Sequence, residues 1–214
     1  MSTESPLQIQ DRETVLAQSE EAEWNYLGKP DYTRHSEIYD RERKCHPDDS
    51  LADIARNLAR TFEMETSYKA NPDEWVSVAT DTFWMSTNGG PAYTVRDIVA
   101  MGSYNVFIEE TQHYSAQEET SQSATKLFHT AFPGGLVWEV VEVLSGPPNV
   151  AFKWRHWGTF AGPYKDHPPT GETVELYGMA IARVNEELKL ESAEFYFDNS
   201  QFFDQLTINP PTSR

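Results

Sequence analysis

The sequence predicts an α+β fold in which helices come first and a curved antiparallel sheet follows. Two observations support this prediction. Up to residue 131 apolar residues recur mainly at helical spacing, whereas from Leu136 onward they follow the two-residue period of β-strands. Helices followed by consecutive strands are typical of α+β proteins. Because one face of such a sheet must be buried, we expect it to curl around an interior that the helices cover.

The chain has 214 residues, which fits one domain with a substantial extension. We divide it into an acidic N-terminal arm (1–48), an α+β barrel domain (49–208) and a tail (209–214). The apolar residues of the arm form no repeating face, so we expect it to begin disordered and then to cross the domain as a partly irregular segment. Trp24 and Tyr26 are its expected anchors.

Three helices are expected before the main sheet. Ser50, followed by Asp53, and Thr94, followed by Asp97, have the spacing of N-terminal capping motifs. Pro72 ends the first helix, and Pro133 follows the third. The predicted bounds are about 51–68, 95–108 and 121–131.

Four long strands follow, separated by turn signals such as Ser145-Gly146-Pro147-Pro148. Asn199 or Ser200 then caps a short final helix. The predicted strands span about 136–144, 149–160, 172–184 and 188–197, the final helix spans 201–206, and an earlier strand region covers 75–78 and 83–87.

Charge and composition exclude several classes of function. Acidic residues number 34 against 17 basic ones, and a formal charge of -17 repels nucleic acid and anionic membrane surfaces. The sequence has no run of 18 apolar residues, no secretory signal, and only one cysteine, Cys45. We therefore expect a soluble cytoplasmic protein without nucleic-acid or membrane partners.

Several short motifs resemble segments of the SnoaL-like polyketide cyclases, which belong to the nuclear transport factor 2-like superfamily. In chain order these motifs are Ala131-Phe132-Pro133-Gly134-Gly135, Arg155-His156-Trp157-Gly158-Thr159-Phe160-Ala161-Gly162 and Pro168-Pro169-Thr170-Gly171. Others resemble the plant and fungal pathogen-related protein branch, namely Met64-Glu65-Thr66-Ser67, Gly102-Ser103-Tyr104-Asn105, Ser145-Gly146-Pro147-Pro148 and Phe195-Tyr196-Phe197-Asp198. The resemblance covers about residues 31–206 and implies a cone-shaped α+β barrel with the helices packed over a pocket.

A pocket of this kind is apolar, so a carboxyl group inside it has a raised pKa and can accept and return a proton near neutral pH. The resemblance implies a cyclisation that uses no metal and no other cofactor. Its base would be an aspartate near the end of the last strand, and Asp198 occupies that position. The residues around Asp198 fit a helix N-cap equally well.

His156 is the second expected catalytic residue, as an acid or hydrogen-bond donor, although a histidine among aromatic residues also fits a buried core. Tyr177 is a candidate donor or a simple core tyrosine. Strand alternation separates Tyr196 and Asp198 from Phe197 without showing which set faces inward. The predicted substrate-binding residues are Trp154, Tyr177, Trp138, Phe152 and Tyr196.

These observations favour a small cofactor-independent enzyme of the cyclase, dehydratase or isomerase type. It would abstract a proton from a hydrophobic carbonyl compound, and we expect this reaction to belong to secondary metabolism. The alternatives are a stress- or pathogen-related protein that only binds an apolar small molecule, and a structural protein whose pocket is filled by its own side chains. The resemblance also implies a homodimer, formed through aromatic residues on the outer face of the sheet.

Overall fold

The structure is a computed structural model that describes residues 11–207. The expected disordered start of the arm and the tail at 209–214 lie outside the described residues. The helices are α1 (Arg12–Gln18), α2 (Thr33–Glu42), α3 (Leu51–Tyr68), α4 (Val95–Met101), α5 (Ser103–Phe107), α6 (Ser121–Ala131) and α7 (Asn199–Thr207). The strands are β1 (Trp84–Thr87), β2 (Tyr93–Thr94), β3 (Val137–Val143), β4 (Asn149–Thr159), β5 (Thr173–Val184) and β6 (Leu190–Phe197).

These strands form one curved sheet in the order β2-β1-β6-β5-β4-β3. The predicted α+β class is confirmed, and each of the four long strands lies where the alternation predicted it. Two details differ from the prediction. Strand β1 runs parallel to β6, so the sheet is not wholly antiparallel, and its two edges β2 and β3 remain unjoined. The sheet is therefore an open, curved one and not a closed barrel.

Local sequence explains where the helices begin. The Ser50 hydroxyl accepts a hydrogen bond from the Asp53 amide at 3.2 Å, and Thr94 and Asp97 form a complete capping box. The single helix expected over 95–108 is wrong, because Gly102, at a φ of +89°, separates α4 from α5. The expected strand at 75–78 is also wrong, since only Val78 forms a bridge, to Leu190.

The arm is more regular than its sequence predicted, because it contains α1 and α2. Helix α2 places Tyr39 against Trp157 of β4, with the ring centroids 6.2 Å apart, and so covers one end of the outer face of the sheet. Trp24 pairs with Lys69, and the Tyr26 hydroxyl donates to the Ser121 carbonyl at 3.1 Å. The two expected anchors do contact the domain.

The main core lies between the inner face of the sheet and the helices. In β4 the side chains of Val150, Phe152 and Trp154 are buried, whereas Lys153 is exposed on the outer face. Trp154 lies across Gly178 of β5, where an added Cβ atom would come within 2.2 Å of the indole ring. Because of this close approach, Trp154 and Gly178 share the face of β4 and β5 that points inward. The cavity lies beside that face.

Candidate functional site

A cavity of about 100 Å³ lies between α3, α5 and the inner face of the sheet, and we call it the reactive chamber. Its wall is mainly apolar, with Phe62, Met85, Phe107 and Phe195 among its members. Six polar side chains also line it, namely Glu63, Thr66, Ser67, Ser103, Tyr104 and His156. An apolar cavity with a few convergent polar groups is the usual form of a small-molecule site.

Glu63, on α3, supplies the carboxyl group of this chamber. Burial raises its pKa above 4.5, and the nearby positive charge of Arg12 only partly opposes that effect. The Tyr32 hydroxyl donates a hydrogen bond to Glu63 Oε2 at 3.0 Å and so orients the carboxyl group. Its other oxygen, Oε1, has no hydrogen-bond partner in the described part of the chain. This oxygen is available to take a proton from a ligand.

His156, on β4, supplies the imidazole group. Burial, and to a smaller extent the charge of His35, lowers its pKa to about 3, so the ring is neutral at physiological pH. Phe107 is stacked on it at a centroid distance of 6.1 Å, and Trp138 and Trp154 flank it at 5.9 and 5.8 Å. Among residues 11–207 its nitrogens have no hydrogen-bond partner. A neutral ring N–H can therefore donate to a ligand oxygen.

Tyr104, on α5, brings a phenol group to the same chamber. Its ring is stacked on Phe128 at a centroid distance of 4.5 Å, and burial raises its pKa. The hydroxyl group therefore stays protonated, and it has no partner within the described chain. Tyr104 is a second possible donor to a ligand oxygen.

The structure places some of the predicted site residues in cavity walls. His156 and Trp138 line the reactive chamber, and Phe152 lines a neighbouring apolar cavity. Trp154 is fully buried beside His156 and packs against Phe107 and Phe197, so it supports the wall from behind. Contact between these residues and a ligand stays a prediction.

Asp198, the expected base, does not face the reactive chamber. Its side chain is exposed, and Oδ1 accepts hydrogen bonds from the Ser200 amide at 2.9 Å and the Gln201 amide at 3.2 Å. These bonds cap α7, which is the alternative that the sequence left open. The expectation that this carboxylate points into the cavity is therefore wrong.

Tyr177 and Tyr196 also lie outside the chamber, on the outer face of the sheet. They are 53% and 39% exposed, and their hydroxyl groups donate to Glu175 at 3.2 Å and Glu194 at 3.1 Å. In β6 it is Phe195 that points inward. The sequence had left open which alternating set of residues faces the interior, and the structure shows that it is the set with Phe195. The expectation that both tyrosines line the pocket is therefore wrong.

Glu63 is the residue of this chamber that the sequence did not predict. It precedes the Met64-Glu65-Thr66-Ser67 motif and lies four residues after Ala59, on the apolar side of α3. A charged residue within an apolar helical stripe was the available signal, because such a residue is rarely buried without a specific role or partner.

Two further properties concern metals and membranes. Within residues 11–207 there is no group of three or more His, Cys, Asp or Glu side chains that could hold a metal ion. None of the helices in that part of the chain has both the length and the apolar character needed to cross a membrane.

The fold and the site define a class of protein, namely a curved-sheet α+β protein with an apolar chamber that holds one carboxyl and one imidazole group. No protein-family model matches the chain. The barley (Hordeum vulgare) protein named "Pathogen-related protein" is 37% identical to it over 198 residues, which are 89% of this chain and 84% of the barley protein. The chain belongs to the pathogen-related protein family, as its motifs predicted.

Solved structures similar to the chain include a SnoaL-like polyketide cyclase from Agrobacterium tumefaciens. The two are 16% identical, with a TM-score of 0.40 over 74% of this chain and 98% of the other. Another is a Catenulispora acidiphila protein with a ketosteroid isomerase-like fold. It is 11% identical, with a TM-score of 0.42 over 73% of this chain and 96% of the other.

Proposed function

We propose that this protein is a cofactor-independent enzyme that moves a proton at the carbon next to a carbonyl group in a hydrophobic compound. The observation that carries the proposal is the pairing of Glu63, whose pKa is raised, with neutral His156 in the wall of one apolar chamber. Cyclisation, dehydration and isomerisation can all begin with this proton transfer.

Each group has a role in the proposed reaction. Glu63 Oε1 takes the proton, and negative charge develops on the carbonyl oxygen. Neutral His156 or Tyr104 then donates a hydrogen bond to that oxygen, an effect that is strong in a chamber with little water. Glu63 afterwards returns the proton to the product. Tyr32 and Arg12 are positioning residues, since they orient the carboxyl group and moderate its pKa without lining the chamber.

The test is hydrogen–deuterium exchange at C3 of 2-pentanone, the methylene carbon next to the carbonyl group, followed by NMR in D2O. We expect exchange to be catalysed, and Glu63→Gln to slow it at least about 100-fold, because the amide cannot accept the proton. Binding of 2-pentanone should persist in this variant. The rate should rise with pH through the pKa of Glu63, because the base must be ionised, and the rise should lie above pH 4.5.

Asp198→Asn is the matched control, because it also removes one carboxylate while asparagine still caps a helix well. We expect it to leave the exchange rate unchanged. Loss of exchange in Asp198→Asn but not in Glu63→Gln would overturn the assignment of Glu63. No catalysed exchange in the wild type, together with binding of 2-pentanone, would indicate the second candidate function.

That second candidate is a protein that binds an apolar small molecule without turning it over. The observation that favours it is the apolar wall of the chamber, in which Glu63 already has a hydrogen-bond partner in Tyr32. In that case Glu63→Gln would change neither exchange nor binding.

We also propose that the protein forms a homodimer through the outer face of the sheet. Large apolar side chains are exposed there on neighbouring strands, namely Trp84, Tyr177, Met179, Ile181 and Tyr196. A contiguous exposed apolar patch commonly marks a protein interface. In sedimentation equilibrium we expect a dimer whose dissociation constant rises at least about tenfold in Ile181→Glu. A wild type that is monomeric at 100 µM would contradict this proposal.

A further inference from the structure

We infer that the ligand of the reactive chamber carries an unbranched apolar chain, and that this chain occupies a second chamber beyond Trp138. The inference rests on the proposed function in that it places the carbonyl group of the same molecule beside Glu63. It adds the class of substrate, an amphipathic ketone or ester with an alkyl chain.

The second cavity, which we call the apolar chamber, has a volume of about 50 Å³. All of its lining side chains are apolar, in contrast to the reactive chamber. Its deep wall is buried, as at Val150 and Ala182, whereas Leu51 and Pro147 at its rim are exposed. A chamber without a polar group can stabilise only an apolar part of a ligand.

Phe62, Trp138 and Phe195 line both chambers and therefore form a partition between them. Trp138 is the member that can move at least cost, because it is only partly buried, whereas Phe62 and Phe195 are 5% and 2% exposed. Its indole Nε1 is buried and has no hydrogen-bond partner in the described chain, so a change of rotamer would break no hydrogen bond. Moving the indole would join the two chambers and allow its N–H to reach an acceptor.

The opposite end of the reactive chamber is polar. Thr66, Ser67 and Ser103 line both the reactive chamber and a cavity of about 290 Å³ that reaches Asn25 and Tyr26 of the arm. The order of the three cavities is therefore polar, reactive and apolar. An amphipathic molecule matches this order, with its polar head near Ser103, its carbonyl group beside Glu63 and its chain past Trp138.

The dimensions favour a chain over fused rings. A dry cavity of about 150 Å³ is known to accommodate benzene, and each of these two chambers is smaller than that. A fused ring system would need both chambers and the removal of the whole partition. A methylene chain needs only a gap at Trp138.

The experiment measures binding of unbranched 2-alkanones, from 2-pentanone to 2-undecanone, by isothermal titration calorimetry. In the wild type we expect the affinity to increase about fourfold for each added methylene until the apolar chamber is filled. Ala182→Phe fills that chamber, so in this variant the increase should stop at a shorter chain while 2-pentanone still binds. Ala161→Phe adds the same side chain at an exposed position and should change nothing.

Trp138→Ala provides a second and opposite change, because it removes the partition. We expect it to favour long ketones over 2-pentanone more strongly than the wild type does, and this variant decides the question if Ala182→Phe does not fold. An affinity that does not depend on chain length, or a chain-length dependence that neither variant changes, would overturn the inference. Exchange that does not depend on Glu63 would refute the proposed function alone, because the chain-length series is read by binding.

Discussion

Replacing Glu65 by alanine is expected to lower the free energy of unfolding by about 3–5 kcal/mol. Glu65 lies on α3 and is fully buried, and its carboxylate accepts four hydrogen bonds. The donors are Lys69 Nζ at 3.1 Å, the Val76 amide at 2.8 Å, the Ser77 amide at 3.0 Å and the Ser77 hydroxyl at 2.5 Å. These bonds join α3 to the segment that leads to β1.

The large effect follows from what the substitution leaves behind. Lys69 is only 3% exposed, so loss of Glu65 leaves a buried ammonium group without its counter-charge, although Nζ still donates to the Glu74 carbonyl at 2.8 Å. The backbone amides of Val76, which is partly buried, and of Ser77, which is buried, also lose their acceptor. Removing one partner of a buried ion pair is costly even where the intact pair adds little stability.

Urea denaturation monitored by tryptophan fluorescence measures the effect. Glu142→Ala is the matched control, because its ion pair with Lys153 has the same kind of partners at 2.8 Å but is half exposed, and we expect it to cost less than about 1 kcal/mol. The double variant Glu65→Met/Lys69→Met should recover part of the loss, since it buries no charge. A loss below about 1 kcal/mol in Glu65→Ala would show that the buried pair does not form.

The sequence predicted those features of the fold that depend on neighbouring residues. Ser50 and Thr94 could be predicted as helix caps because each hydroxyl accepts a hydrogen bond from the amide of the residue three positions further along the chain. Helix α2 was missed because its stability depends on Tyr39 packing against Trp157, which is 118 positions further along the chain. No local pattern records that contact.

In the candidate site, too, the local features could be predicted and those that depend on distant contacts could not. Alternation grouped Phe195 with Phe197, and Tyr196 with Asp198, but the face turned inward depends on how neighbouring strands pack. The cap at Asp198 could be predicted because its partners are the next residues, whereas the environment of Glu63 depends on Tyr32 and Arg12 of the arm. The sequence therefore predicted a carboxyl group in the wall of an apolar cavity, and the structure has one there at Glu63, whereas Asp198 is exposed.

Gly162→Ala is the second substitution with a large expected effect, a loss of about 3 kcal/mol in the free energy of unfolding. Gly162 follows β4 and lies against the end of α6. A Cβ atom at this position would lie 1.9 Å from the Thr130 carbonyl oxygen. That oxygen belongs to the backbone, so the overlap cannot be relieved by a change of rotamer.

To accommodate the methyl group, α6 and the end of β4 must separate. The Ala161 and Gly162 amides both donate to the Ala131 carbonyl at 3.1 Å, and separation would weaken both bonds. Helix α6 also carries Phe128, on which Tyr104 of the reactive chamber is stacked. The same displacement should therefore slow the exchange of 2-pentanone as well as lower the stability.

Gly134→Ala separates this steric effect from the loss of glycine's flexibility in the unfolded chain. An added Cβ atom at Gly134 would come no closer than 3.6 Å to Ile38, an ordinary contact, so we expect a change within about 1 kcal/mol. The comparison is made by urea denaturation, with both variants measured in parallel. If Gly162→Ala proves as stable as Gly134→Ala, α6 cannot approach β4 as closely as the structure shows. The position of Tyr104 in the reactive chamber would then lose its support, because it depends on that approach.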